Sequence, residues 1–356
     1  MARTHIDKRS RLVSAAVGLA YQNGFGATSL ADIAREAEVP VGNVYYYFKT
    51  KDDIGDAIVE LRLAQLSAQR QRWNEAGSPK DRLCACVQDV FENKDFLAQR
   101  GGSPPLSASD VNLLHESVTA SGKKPTVAPR PMTTAEIRQT VADYARAGRN
   151  AMEAGFDGLE ILAGYLYLIP QFLNRVTNRR TDEYGGSIES RARILFEVVE
   201  AVLEEVDPSR VGVKISPMHE GGPMAANDET LPITEYAVRK LDGYGLSHLL
   251  LMGNTTDFTG TPLEPLMGDG MFRHFRPIFS GKLIANVGMT AERGNHLIAE
   301  GIADLVAFGR PYIANPDLVE RLATGAPLAE VDWQTVYASG PRGYTDYPAF
   351  RRAAAE

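Results

Sequence analysis

Cysteine is nearly missing from this chain: of 356 residues only Cys84 and Cys86 are cysteines. They lie two apart in a helical pattern and so point to different faces. That excludes a disulfide framework and argues against a metal or redox centre built on the pair alone. No metal site is expected. No run of about 18 apolar residues occurs, so no membrane-spanning helix is expected. The opening stretch MARTHIDKRSR lacks the apolar core of a secretory signal. With so little cysteine, the expected compartment is the reducing cytoplasm. No internal repeat and no long low-complexity tract is present. No G-x-G-x-x-G follows any strand-like run, which counts against a dinucleotide-binding unit.

What is present is an ordinary globular composition, 44% hydrophobic and 23% charged, long enough for two domains. The net charge of -7 is unevenly spread: residues 1–102 carry 14 Lys and Arg against 13 Asp and Glu, the remainder 24 against 32. The acidic second part is a poor partner for nucleic acid. The first part can still present a local basic face, because phosphate binding depends on where the charges sit. The character of the sequence changes near Gly101-Gly102-Ser103. The expected domains are 1–102 and 103–356.

Residues 8–22 space Leu12, Ala15, Ala16, Leu19 and Ala20 along one helical stripe, and Gly24 follows as a stop. Ser29, with Asp32 three residues on, starts a second short helix in the manner of a capping box. A tight turn at Ala37-Glu38-Val39 leads to Pro40, which suits the first turn of a third helix. Val44 and Phe48 can pack back on the first two. Short helix, tight turn, short helix is the helix-turn-helix plan. The exposed face of its second helix is expected to carry Asn43, Tyr46 and Tyr47, with Tyr45 beside them and Lys49 and Lys51 following. Such groups reach base edges and phosphates; three tyrosines half-buried in a helical bundle is the plainer alternative.

The string SLADIAREAEVPVGNVYYYFKTKDDI resembles the head of the tetracycline-repressor (TetR) family over about residues 8–68. The resemblance implies a DNA-binding head contacting DNA through residues 29–51, with a connecting helix near residues 51–68. By position, Tyr45, Tyr47 and Lys51 would touch the backbone and Asn43 would lie nearer the bases. Glu38 stands where many members have glycine. Residues 81–100 look like the first helix of the family's effector domain. Beyond them the family's usual dimer-forming helices are absent.

After the join, residues 104–131 read as a long polar loop and Thr133–Gly155 as a helix that Thr134 can cap. Strands are expected at 158–162, 211–216, 247–252, 282–287 and 304–309, with helices around 188–205, 233–244 and 291–300. Alternating β and α means a parallel sheet. Five strands at this spacing fit part of a TIM barrel or a doubly wound sheet. Barrel chemistry sits at the strand ends. Lys214 lies there, and Gly309-Arg310 suits a phosphate, with a close backbone approach and a guanidinium. A buried glycine beside a surface arginine is the plain alternative.

The run GFDGLEILAGYLYLIPQFLNRVTNRRTDEYGGSIESRARILFEVVEAV, with DLVAFGRPYIANPDLVERL and GYTDYP, resembles the old yellow enzyme (alkene reductase) family over about 103–350. The resemblance implies an FMN-containing barrel, here with only about five of its strands, since the family's first three precede the region of Ser103. It implies NAD(P)H-dependent reduction of an activated C=C bond in an enone-type small molecule. Lys214 stands for an arginine beside the flavin, and Gly288, Gly309 and Arg310 match phosphate-binding loops, with Val287 in place of a small residue. Where the family has a His-Gly-Ala-(His or Asn)-Gly-Tyr string, this chain reads Leu162-Ala163-Gly164-Tyr165-Leu166-Tyr167. The two substrate anchors thus become Leu162 and Tyr165, while the proton donor is kept as Tyr167. Three readings stay open: an ene-reductase of reduced activity, a DNA-binding regulator with a flavin or redox-sensing module, and a fusion product with neither activity. A homo-oligomer is compatible with each.

Overall fold

The computed structural model describes residues 8–23, 28–58, 60–61, 104–119, 122–217, 219, 222–336, 342–343 and 345–350. Gly24, Cys84, Cys86, the expected helix at 81–100 and the join at 101–103 lie outside these. The chain divides into two compact units, residues 1–103 with 118–123, and residues 104–117 with 124–356.

In the first unit, helix α1 (Lys8–Asn23), α2 (Leu30–Glu36) and α3 (Val41–Tyr47) enclose a small core of Leu12, Ala16, Ile33, Val44, Phe48 and Ile54. The Ser29 hydroxyl accepts from the Asp32 N–H while Asp32 reaches back to the Ser29 N–H, a complete capping box. Pro40 sits one place earlier than expected, at the cap of α3, where its missing N–H removes no helical bond. Between α2 and α3, Glu38 takes φ 52°, a left-handed conformation that suits glycine. Arg11 of α1 holds that turn, donating to the Ala37 carbonyl at 2.5 Å and pairing with the Glu38 carboxylate at 3.3 Å. The chain is helical again at 51–58 and 60–61, within the expected connecting helix.

The stretch 104–131, expected as a loop, carries four short strands instead. Strand β1 (Leu106–Ser107) pairs in parallel with β4 (Arg130–Pro131), and β2 (Glu116–Thr119) and β3 (Gly122–Pro125) form a second two-stranded sheet. Strands of two to four residues are too short for an alternation to be read, so they are invisible to a pattern search. Helix α4 (Thr134–Glu153) follows; its cap is Thr133, not Thr134, because Glu136 sits three residues on and closes a capping box.

Then the alternation sets in: β5 (Leu159–Ala163), α5 (Leu168–Leu173), α6 (Ile188–Leu203), β6 (Val211–Ile215), α7 (Thr230–Asp242), β7 (His248–Met252), α8 (Gly270–Phe275), β8 (Leu283–Asn286), α9 (Ala291–Ala299), β9 (Leu305–Ala307), α10 (Arg310–Ala314) and α11 (Leu318–Thr324). The five strands form one parallel sheet in chain order. Alternate residues face opposite sides. The rows Ile161–Val213–Leu249–Leu283 and Ala163–Ile215–Leu251–Ala285 are buried in the main core with Ile194, Leu195, Val198 and Phe272. The opposite face carries the row Leu162–Lys214–Leu250–Ile284–Leu305. In a closed barrel that face is packed solid. Among the described residues β5 and β9 are the sheet's two edges and do not pair with each other, so the barrel is open. Leu162 and Leu305 at the edges are 36% and 53% exposed, while Leu250 between them is buried.

Candidate active site at the strand ends and candidate DNA-binding face

The C-terminal ends of the strands meet around a cleft of about 540 Å³. Tyr165, Ser216, Met252, Asn254, Val287 and Arg310 line it from the segments after all five strands, and Leu113, Leu114 and His115 from the segment before β2. Parallel strands put their ends on one side, so residues far apart in sequence converge.

After β5 the backbone turns sharply. Gly164 passes so close to Ser216 that a Cβ would lie 3.2 Å from its hydroxyl, and Tyr165 then takes φ 57°. The Tyr165 N–H donates to the Ser216 hydroxyl, tying the turn to the end of β6. The Tyr165 ring lies among three others: His219 at 5.0 Å, Tyr167 at 6.2 Å and His115 at 6.3 Å between centroids. Tyr167 caps α5 and is exposed beside the cleft, but does not line it.

After β8, Val287 and Gly288 both have left-handed backbone, φ 78° and 66°. The first is a β-branched residue in a conformation costly for its type. Arg293 of α9 clamps this turn, donating to the Val287 and Gly288 carbonyls at 3.1 and 3.3 Å. Its own fork is fixed by Asp269 at 2.7 and 2.9 Å. After β9, Gly309 has open space where a Cβ would stand, and Arg310 enters the cleft with Trp333 6.0 Å away beneath its guanidinium. Lys214 is half-buried on the open face between Leu162 and Leu250, and no hydrogen bond or ion pair reaches it among the described residues.

Of the barrel residues singled out in the sequence, the cleft therefore brings together Tyr165, Val287 and Arg310. Gly288 and Gly309 adjoin lining residues, Lys214 lies on the sheet face and Tyr167 at the rim. His115, His219 and Asn254 were not anticipated: they belong to segments without regular structure, and their convergence depends on the fold. Among the described residues no group of three or more His, Cys, Asp or Glu could hold a metal ion.

These side chains suit a phosphate-bearing flavin at one end. Arg310 and Lys214 are cations without an ionic partner among the described residues, and the backbone at Gly309 is open to close approach. Among the described residues the parallel sheet ends at β5.

On the first unit, α3 presents Tyr46, 77% exposed, and Tyr45. Tyr47 and Asn43 are half-buried instead of fully presented; Tyr47 packs on the head's core, its ring edge-on to Tyr46 at 5.0 Å. Asp53 accepts the Thr50 and Lys49 N–H groups at 2.9 and 2.7 Å, fixing the chain that carries Lys49 and Lys51. These bonds, Thr50 foremost, hold its carboxyl below the ordinary range. No helix among the described residues is long and apolar enough to cross a membrane.

Residues 91–329 match the model of the NADH:flavin oxidoreductase / NADH oxidase family, and residues 12–58 that of the bacterial regulatory proteins, tetR family. 12-Oxophytodienoate reductase 1 of Oryza sativa subsp. japonica is 39% identical over 262 residues, 70% of this chain and 64% of that protein. 12-Oxophytodienoate reductase 2 of Arabidopsis thaliana is 41% identical over 231 residues, 64% of this chain and 60% of its own. Among solved structures, the old yellow enzyme homologue from Zymomonas mobilis superposes with a TM-score of 0.65 at 33% identity, covering 71% of this chain and 70% of the other. Morphinone reductase in complex with tetrahydroNAD gives 0.63 at 37% identity, covering 71% and 69%. The chain thus spans less than two thirds of the length of these two curated reductases.

Proposed function

The chain belongs to the NADH:flavin oxidoreductase / NADH oxidase family, and from that premise we propose that residues 103–356 act as an FMN-dependent reductase of activated C=C bonds, with NADH or NADPH as reductant, joined to a DNA-binding head over residues 1–102. FMN, when bound, would relay hydride from the nicotinamide to the alkene. The observation that carries this reading is the cleft at the strand ends, where Arg310 has no ionic partner among the described residues and Gly309 leaves room for a phosphate. Gly288 would add backbone contacts, and Lys214 would face the ring with one positive charge. A lysine there keeps the charge but loses the planar fork of an arginine. Tyr167 would return the proton to the carbon skeleton, and Tyr165 would hold the substrate oxygen.

Binding should be weak, because the wall that three further strands would supply is not built into this sheet. The test is an absorbance and fluorescence titration of the purified chain with FMN and with riboflavin. FMN should bind more tightly than riboflavin, and Arg310→Ala should erase the difference. Equal affinity for the two flavins in the unaltered chain would refute the phosphate contact.

A regulator reading is favoured by one observation: the head has its own core and presents Tyr45 and Tyr46 outward beside Lys49. In that reading Tyr45, Tyr47 and Lys51 contact phosphates, Asn43 lies nearer the bases, and the flavin module senses redox state in the cytoplasm.

A further inference from the structure

Leu162 stands where the substrate's oxygen would have an anchor, yet its side chain has no donor and does not line the cleft. A hydride arriving at the far carbon of an enone drives the π electrons onto the oxygen, and that charge needs hydrogen-bond donors. The cleft contains them elsewhere. His219 and His115 lie 5.0 and 6.3 Å from the Tyr165 ring, and all three side chains line the same cavity. Each is placed by its backbone. Tyr165 is tied to the Ser216 hydroxyl. His115 exchanges two bonds with Thr126, at 3.1 and 2.8 Å. The His219 carbonyl accepts the Ala226 N–H at 3.0 Å.

Resting on the reductase reading above, we propose that His115, Tyr165 and His219 form a rebuilt oxygen-binding corner, and that its ligand is a small flat carbonyl compound. A phenol carries one O–H, and an imidazole carries an N–H in both its neutral and its protonated form. For the three to act together, the Tyr165 hydroxyl and one N–H of each imidazole must reach a single ligand oxygen in the cleft that all three line. Leu166, Met252 and Val287 line the same cleft and suit the ligand's apolar body. The corner differs from a strand-end pair in its origin: one donor follows β5, one follows β6, and one precedes β2.

The test uses the full chain with isotope-labelled histidine and 2-cyclohexen-1-one as the probe, with and without FMN. NMR signals assigned to His115 and His219 by their loss in His115→Phe and His219→Phe should move on titration, while those of His248, His274 and His296 stay. Each substitution, and Tyr165→Phe, should weaken binding roughly 2- to 12-fold, the worth of a neutral hydrogen bond. In FMN-loaded protein each should lower kcat by about 10²–10³, the cost of a lost oxyanion donor, with a smaller effect on KM. Enone binding without movement of either imidazole, or variants that bind as the parent does, would overturn the proposal. So would the absence of any binding at millimolar enone. The flavin reading is scored separately by FMN absorbance: bound FMN with silent imidazoles removes the corner alone, and responding imidazoles without FMN remove the flavin alone. Where a phenylalanine variant unfolds, His115→Gln or His219→Gln supplies the assignment, and the signals of the unaltered chain then decide the matter.

Discussion

Val287 is a β-branched residue held at φ 78°, in the turn that follows β8. Left-handed backbone at a non-glycine residue costs on the order of 1–3 kcal/mol, and it persists only where the surroundings over-determine it. Arg293 and Asp269 supply that constraint. Val287→Gly should therefore stabilise the second unit by about 1 kcal/mol, after allowing for glycine's greater entropy loss. Calorimetry should show this as a rise of roughly 2–4 °C in its melting temperature. A fall would mean that the valine's packing outweighs its strain. Asp269→Ala should act in the opposite sense, freeing the clamp and weakening FMN more than riboflavin. At Glu38 the same backbone argument holds, and its exposed pair with Arg11 offsets little of the strain.

At the scale of elements, α4 has the best-defined start. The Arg130 guanidinium, then the Thr133 N–H and hydroxyl, bring the Glu136 carboxyl down to about 2. A lowered folded-state pKa means that ionised Glu136 favours the folded form. Its contribution is complete above the ordinary carboxylate range and is lost as pH falls from about 4.5 towards about 2. Acid unfolding of the second unit should lose part of its pH dependence in that window on Glu136→Gln, as read by far-UV CD. An unchanged acid transition would show that the box does not persist in solution. The neighbouring Thr133→Ala should cost about 1 kcal/mol at neutral pH, where the cap is intact. Strong elements were legible in the chain. The five strands lie within a residue or two of where the apolar runs place them, and α6, α7 and α9 follow the expected helices. The short ones were not: α5, α8, α10 and α11 have five to seven residues, too few for a helical period to emerge.

The whole molecule is governed by the open sheet. Edge strands offer unpaired backbone groups to other chains. Here both edges also carry exposed leucines, Leu162 and Leu305. Concentration-dependent association is expected above micromolar protein, measured by light scattering, and Leu305→Lys should reduce it without lowering stability. A monomer at all concentrations would show the edges to be covered in solution. For the head, a single helix-turn-helix reaches only one half-site. DNA binding should be weak and salt-sensitive, with Kd of about 10⁻⁴–10⁻⁶ M and little sequence preference. Lys51→Ala should weaken it alike on every duplex tested by fluorescence anisotropy. Tight binding to one palindrome at physiological salt would instead require a dimer.

The amino-acid sequence by itself determined the order and kind of the main elements, because hydrophobic period and capping residues act over a few positions. It also determined the family, through long strings such as TDEYGGSIESRARILFEVVEAV. Only the tertiary structure decided which side chains share a cleft. Tyr165 meets His115, 50 positions earlier, and His219, 54 positions later, because parallel strands deliver their ends to one side. It likewise decided that Tyr46 is presented outward while Tyr47 turns toward the head's core, since the helix's rotation is fixed by Val44 and Phe48 packing inward. Whether a five-strand sheet closes is a matter of what pairs with its edges, and no local pattern encodes that.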